Sequence, residues 1–212
     1  MSENNDSKSD LKEKCSICQD PECIRYAIEN KLDYHFNRKK FFRFLASFLI
    51  IIISASAGLI AYGFMKEFFI FIGGIILFAI VFFEFWEIKI LCSHCPYYGE
   101  DNKLLNCNAN YGSMKIWKYN PAPMTLSEKI QLMIGFLIIS AIILFPSVIL
   151  IIHHHYLVSS IPAIGLVLFY FVLRKYHCSE CPNFSCPFNT VPKDVAEGFI
   201  KRHPAMKKAW KL

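Results

Sequence analysis

Four long apolar blocks, separated by polar segments, organise this chain. Their hydrophobic residues run without interruption, instead of alternating as in a half-buried strand or recurring along one helix face. A hydrocarbon core about 30 Å thick requires about 20 apolar residues of helix, and lipid cannot hydrogen-bond a bare backbone. The pattern therefore predicts an all-α, polytopic membrane protein with four transmembrane helices. The blocks cover Phe44–Phe64, Phe68 to about Ile90, about Ile130 to Ile152, and Tyr156–Leu173.

Short polar connections predict that the four helices form two hairpins. Only residues 65–67 separate the first two blocks, and the three histidines at 153–155 separate the last two. Each polar segment between or beside the hairpins carries one cysteine group. The expected segments are a cytosolic N-terminal segment with a first cysteine knuckle and an amphipathic helix (1–40), a transmembrane hairpin (41–91), a cytosolic loop with a second knuckle (92–127), a second hairpin (128–174) and a cytosolic tail with a third knuckle (175–212).

The positive charges lie on one side of this predicted topology. Of the 23 Lys and Arg residues, nine lie in 1–43, five in 89–129 and eight in 174–212, and Lys66 is the exception. Positive residues near span ends stay in the cytoplasm, so we expect a multi-pass protein of the cell membrane with both termini cytoplasmic. The first block is too long and too late for a cleavable signal peptide. The net charge of +6 is accounted for by this rule and by attraction to anionic lipid. The expected partners are the lipid bilayer and a soluble or membrane protein, and no nucleic acid.

Nine cysteines form three groups of three in the three segments assigned to the cytoplasm. Each group begins with the pattern C-S-x-C. In the first and third groups, four residues separate the last cysteine from the cysteine before it. Two cysteines separated by two residues bring both sulfurs within reach of one metal ion. All nine cysteines are therefore predicted metal ligands: Cys15, Cys18, Cys23, Cys92, Cys95, Cys107, Cys178, Cys181 and Cys186.

Zinc is the expected metal, with an iron–sulfur cluster as the alternative. Stable disulfides are not expected in the reducing cytosol. Two cysteine pairs from different groups would complete a tetrahedral zinc site, whereas His94 and His177 adjoin their cysteines too closely to be favourable ligands of the same ion. A proline follows Cys95, Cys181 and Cys186, as it often does after a ligand in iron–sulfur proteins.

Three functions are consistent with this pattern. The first is a membrane scaffold in which structural zinc holds the cysteine clusters together and presents a docking surface to a partner. The alternative is an electron-transfer subunit carrying iron–sulfur clusters. The second alternative is a thiol-dependent membrane enzyme, because C-x-x-C is also a redox motif. The sequence assigns no catalytic residue.

Two acids and two helix-start motifs complete the pattern. Glu84 and Glu87 are the only acids inside an apolar block, and an acid inside a membrane span is a functional candidate. Asp20, which precedes a proline, predicts the start of an amphipathic helix over 20–38. The capping box Thr125–Glu128 predicts the start of the third transmembrane helix.

Overall fold

Helices provide nearly all the regular structure of this protein. The computed structural model describes residues 17–18 and 20–211. Across these residues no strand is present, and a single isolated antiparallel bridge joins Leu104 and Met114. The predicted all-α class is confirmed. The α-helices are α1 (Pro21–Glu29), α2 (Arg38–Ala61), α3 (Met65–Ala79), α4 (Glu87–Ile90), α5 (Leu126–Ile152), α6 (Tyr156–Leu173), α7 (Lys193–Arg202) and α8 (Pro204–Trp210).

Four helical segments are long and apolar enough to cross a membrane, as the sequence predicts. They contain 24, 30, 27 and 23 residues. Because a helix rises 1.5 Å per residue, even the shortest reaches about 34 Å, which exceeds a hydrocarbon core of about 30 Å. We name them spans one to four: Arg38–Ala61, Met65–His94, Leu126–Ile152 and Tyr156–Cys178.

Side-chain caps determine where spans one and three begin. The Asn37 side chain accepts two backbone N–H groups of the first turn, so span one starts before the apolar block that begins at Phe44. Thr125 and Glu128 form the predicted capping box at the start of span three. Both caps satisfy N–H groups that have no partner within the helix.

Spans two and four each contain a π-helical turn close to a cysteine group. The π-helical segments are Ile80–Trp86 in span two and Arg174–Cys178 in span four. Such turns are rare and are found frequently at functional sites. The second cysteine group begins at Cys92, six residues after Trp86, and the third begins at Cys178, the last residue of the π-helical segment in span four.

Close packing between side chains holds the spans together. Near the cysteine end, the fully buried ring of Phe82 stacks on Phe78 with centroids 5.1 Å apart and meets the Phe136 ring edge-on at 6.0 Å. Lipid is as apolar as these side chains, so the helices associate through close side-chain packing rather than through burial of apolar surface alone. The buried core residues of the spans are Ile51, Ala55, Leu59, Phe71, Ile75, Ile139, Ile143 and Phe169.

Helix α1 is shorter than the sequence predicts. Asp20 caps its start as expected, but the helix ends at Glu29. Lys31 has a left-handed backbone with φ of 55°, and the N–H of Leu32 bonds back to a carbonyl of α1 at 2.9 Å. This turn ends the helix, so the amphipathic helix predicted over 20–38 is wrong in its length.

A second core forms outside the spans, where the polar segments pack together. Ile24 of α1, Tyr97 of the loop between spans two and three (the central loop, residues 95–125) and Phe199 of α7 are all buried in it. Segments far apart in sequence therefore meet at the end of the bundle where spans two and four finish. Hydrogen bonds join them, among these Asp33 N–H to the Glu180 carbonyl at 2.7 Å, Asn183 Nδ2 to the Leu91 carbonyl at 2.9 Å, and Trp210 Nε1 to the Pro121 carbonyl at 2.9 Å.

Gly135→Ala is expected to destabilise the bundle. A Cβ atom at Gly135 of span three would collide with the buried ring of Phe82 in span two. Overpacking of this kind costs about 1–3 kcal/mol, which outweighs the gain of up to about 1 kcal/mol in helix propensity. Circular dichroism in detergent should record a lower thermal midpoint, and adding Phe82→Leu should recover part of the loss.

Gly73→Ala is the matched control, because a Cβ atom there meets no atom within 4 Å. Its midpoint should equal or slightly exceed that of the wild type. If Gly135→Ala melted at the wild-type midpoint, the close contact between spans two and three would be contradicted.

Candidate metal centre

The first cysteine group does not present three free thiols. Cys15 lies outside the described residues, and Cys18 and Cys23 are joined by a disulfide. Their Cα atoms lie 5.9 Å apart, within the usual range for such a bond, and both residues are buried. The expectation of no stable disulfide is therefore wrong for this pair, because the first turn of α1 brings Cys23 beside Cys18. In this bonded state neither sulfur is a thiolate that a metal can bind.

The second and third cysteine groups meet around a cavity of about 340 Å³. Cys92 is buried and does not line the cavity. Its sulfur accepts a hydrogen bond at 3.2 Å from Asn110 Nδ2, and Asn110 does line the cavity. Cysteines of both groups otherwise share the cavity wall, which is the kind of combination across groups that the sequence predicts. The lining thiols are Cys95, Cys107, Cys178, Cys181 and Cys186.

Backbone N–H groups approach four of these five thiols. The Cys107 sulfur accepts the N–H of Ala109 at 3.4 Å and the N–H of Asn110 at 3.3 Å. Near three other sulfurs, backbone N–H groups from residues two or three positions ahead oppose the rise in thiol pKa that burial causes. Hydrogen bonds to the sulfur favour the charged thiolate over the neutral thiol. The other pairs are Tyr97 to Cys95, Asn183 to Cys181, and Phe188 and Asn189 to Cys186.

We name Cys95, Cys107, Cys181 and Cys186 the thiol quartet. Burial raises the pKa of Cys95, Cys107 and Cys181 above the ordinary thiol value and raises the pKa of Cys186 to about 12. These four thiols are therefore protonated at neutral pH unless a cation replaces their protons. A bound metal supplies that positive charge, and a coordinating thiol is then deprotonated.

The quartet is distributed around the cavity and does not converge on one point. Among the described residues, no group of three or more His, Cys, Asp or Glu side chains is arranged to hold a single metal ion. A zinc ion requires four donor atoms, with sulfur at about 2.3 Å. The cavity of about 340 Å³ is also far larger than the volume of about 30 Å³ that one water molecule occupies. The described cysteines therefore surround a space instead of meeting at one point.

Three buried polar atoms of the cavity wall have no hydrogen-bond partner. They are Tyr97 Oη, Asn108 Nδ2 and His177 Nε2, on residues that are 2%, 5% and 7% exposed. By contrast, both ring nitrogens of His94 are engaged, with the carbonyl of Ala122 and the carboxylate of Glu128. An unpaired buried polar atom costs about 1–3 kcal/mol, and a bound group that completes its bonds removes that cost.

The two glutamates of span two also line the cavity. Glu84 accepts a hydrogen bond from Ser113 Oγ at 3.2 Å, and Glu87 accepts one from Asn110 Nδ2 at 3.2 Å. The central loop therefore fixes both carboxylates from the side of the cysteines. Their position inside a span and beside a cavity agrees with the expectation that they are functional candidates.

Sequence reasoning missed the asparagines of the central loop. Asn108 accepts the backbone N–H of Asn37 at 2.6 Å, and Asn110 contacts both Glu87 and the sulfur of Cys92. Asparagine occupies every second position around Cys107 in the sequence, and this is the local signal that marks them. Their partners lie far away in the chain, so the spacing alone cannot reveal them.

No protein-family model, no curated protein and no solved structure matches this chain. The chemistry of the cavity is therefore inferred from its own residues. Of the nine predicted ligands, five line the cavity, two share a disulfide, Cys92 contacts a lining residue, and Cys15 is outside the described residues.

Asn183→Ala is expected to weaken the contact between the second and third cysteine groups. The buried Asn183 side chain donates to the Leu91 carbonyl and accepts from Ser185 Oγ at 3.1 Å. Removing it leaves a carbonyl unpaired, which should lower the free energy of unfolding by about 1–3 kcal/mol. Denaturant unfolding in mixed micelles measures this loss.

Asn102→Ala serves as the control, because Asn102 is exposed and its amide contacts only Glu100, at 3.4 Å. Its unfolding free energy should stay within about 0.5 kcal/mol of the wild type. Matching unfolding curves for the two alanine variants would contradict a structural role for Asn183.

Proposed function

We propose that this protein is a membrane-bound electron-transfer protein whose thiol quartet holds an iron–sulfur cluster. One observation carries the proposal: four thiols, of which Cys95 is buried and the other three are partly buried, line a single cavity of about 340 Å³ and have backbone N–H groups nearby. Four thiolates are the usual ligand set of an iron–sulfur cluster, and hydrogen bonds to the sulfurs are a common feature of these sites. The quartet therefore has the right number and kind of ligands.

The arrangement of the cysteines favours a cluster over a single zinc ion. A zinc site would bring four donors to one point, whereas the described cysteines surround a void. Aromatic side chains close the wall around them, including Phe83, Phe136 and Phe188. A wall of this kind excludes water and lowers the local dielectric, which is a recognised control of cluster potential.

A bound cluster would supply reversible one-electron transfer. The contribution of the chain is to orient the four thiols, to supply N–H donors to their sulfurs and to exclude water. The three unpaired polar atoms, Tyr97 Oη, Asn108 Nδ2 and His177 Nε2, are further groups in the wall that a bound group could engage.

Structural zinc in a scaffold is the second candidate. The observation that favours it is the convergence of distant segments on the cysteines, for example the bond from Asn183 to the Leu91 carbonyl. Metal binding across such segments stabilises a fold directly. The same surface would then act as a docking site for a protein partner.

The orientation in the membrane is also part of the proposal. The spans are expected to form two hairpins in the cell membrane, with both termini and a cysteine-rich metal-binding layer in the cytoplasm. The distribution of Lys and Arg supports this orientation, because Lys66 alone lies in a connection assigned to the outside.

Metal analysis tests the cluster directly. Protein purified without oxygen should contain iron and acid-labile sulfide in about equal amounts and should absorb in the visible. Cys181→Ala removes one ligand of the quartet, so its iron and sulfide should fall below about a quarter of the wild-type content. Elemental analysis and an absorption spectrum on the same sample measure both quantities.

Cys92→Ala is the matched control, because Cys92 is buried but is not a lining residue of the cavity. It should retain most of the iron, and helix content and elution volume should confirm that both variants are folded. Stoichiometric zinc in a colourless protein would overturn the cluster and support the scaffold. Rapidly alkylated thiols with no metal would overturn both and leave the thiol-dependent enzyme.

Reporter fusions test the orientation. Alkaline phosphatase inserted at His154 should be active, because this exposed residue joins spans three and four on the side opposite the cysteines. Green fluorescent protein fused after the last residue should fluoresce, because it folds in the cytoplasm. An active phosphatase at the C terminus would contradict the assignment of the cysteines to the cytoplasm.

A further inference from the structure

The cavity extends from the cysteines into the membrane-spanning bundle. Along span four its lining runs from His177 to Leu166, which is about 16 Å of helix at 1.5 Å per residue. Ile143 of span three also lines it, and this residue belongs to the core of the bundle. A cluster held by the thiol quartet would occupy only the end of the cavity that the cysteines line, and the lining from Leu166 to Tyr170 belongs to the membrane-embedded end. We name this end the deep pocket.

The walls of the deep pocket are apolar and aromatic. Its lining comes from all four spans and includes Phe48, Phe83, Ile139, Leu166 and Phe169. Flat rings in the wall favour a flat ring as ligand, through offset or edge-on contacts between rings. The pocket lies among helices that face lipid, so a ligand dissolved in the bilayer has the shortest route to it.

Polar groups occur only where the deep pocket approaches the cysteines. Tyr170 Oη lies 3.0 Å from Ser140 Oγ, and Glu84 bonds to Ser113. Tyr170, Glu84 and Ser113 are all lining residues. A ligand that matches this wall has hydrogen-bonding atoms at one end and a hydrocarbon body at the other.

We propose that the deep pocket binds the ring of a lipid-soluble quinone, with one ring oxygen directed toward the Tyr170 hydroxyl, which would turn from Ser140 to donate to it. This inference rests on the proposed function, because a quinone is an electron carrier of the bilayer and the quartet lies at the other end of the same cavity. A quinone has a flat ring, a carbonyl acceptor for the Tyr170 hydroxyl and an apolar tail, and each property has a counterpart in the wall. A saturated acyl chain would use neither the aromatic wall nor the polar groups.

Binding of decylubiquinone to the purified full-length protein in detergent tests the proposal, with isothermal titration calorimetry as the measurement. The wild type should bind one equivalent saturably. Leu166→Trp places an indole in the pocket and should weaken binding at least about tenfold, because it occupies the space of the ring. Leu168→Trp is the matched control, since Leu168 is 58% exposed on the same helix, and its affinity should remain within about twofold of the wild type.

Tyr170→Phe keeps the ring and removes the hydroxyl, so it should weaken binding about threefold to tenfold. Elution volume and helix content show that each variant is folded.

Iron and sulfide measured on the same preparations separate the two proposals. Saturable, Leu166-dependent binding by protein without iron would support the pocket and overturn the electron-transfer function. Iron-containing protein that binds no quinone would overturn the pocket alone. Equal weakening by both tryptophan variants, or equally tight binding of decanoic acid, would also overturn it.

Discussion

Lipid cannot hydrogen-bond a peptide group, and this constraint determines where everything else in the protein lies. Each apolar block must cross as continuous helix, so irregular backbone is confined to the helix ends and the segments beyond them. The segments that carry the cysteines are irregular and polar. They therefore gather at the end of the bundle where spans two and four finish, and side-chain hydrogen bonds such as Asn183 to Leu91 join them there. The meeting of the second and third cysteine groups around one cavity follows from this confinement.

The π-helical turns adapt the spans to that site. A π-helical turn carries one more residue than an α-helical turn and changes the direction of the side chains that follow. Phe83 and Glu84 lie in the π-helical segment of span two, and His177 and Cys178 lie in that of span four. All four residues line the cavity. The irregular winding is thus located where two spans present both apolar and polar groups to one space.

Local signals predicted the parts of the fold that depend on local chemistry. Block length predicted four spans, and Asp20 and Thr125 predicted two helix starts, because a cap acts within one turn. The end of α1 was not predictable, since it depends on the left-handed Lys31 and on packing with segments that follow much later. For the same reason the C-x-x-C spacing identifies the cysteine pairs but not which of the cysteines line the cavity. It also missed the bond between Cys18 and Cys23.

The composition of the cavity wall argues that the space is kept for a ligand. Membrane bundles can close a void with a larger apolar side chain, and they lose packing energy when they do not. Here the wall instead contains five thiols and three buried polar atoms without partners, among them His177 Nε2. Folding is stable by only about 5–15 kcal/mol, so several unpaired polar groups are a large fraction of the total. A bound group that accepts these hydrogen bonds and replaces the thiol protons removes the cost, whereas an apolar side chain in the same space would not.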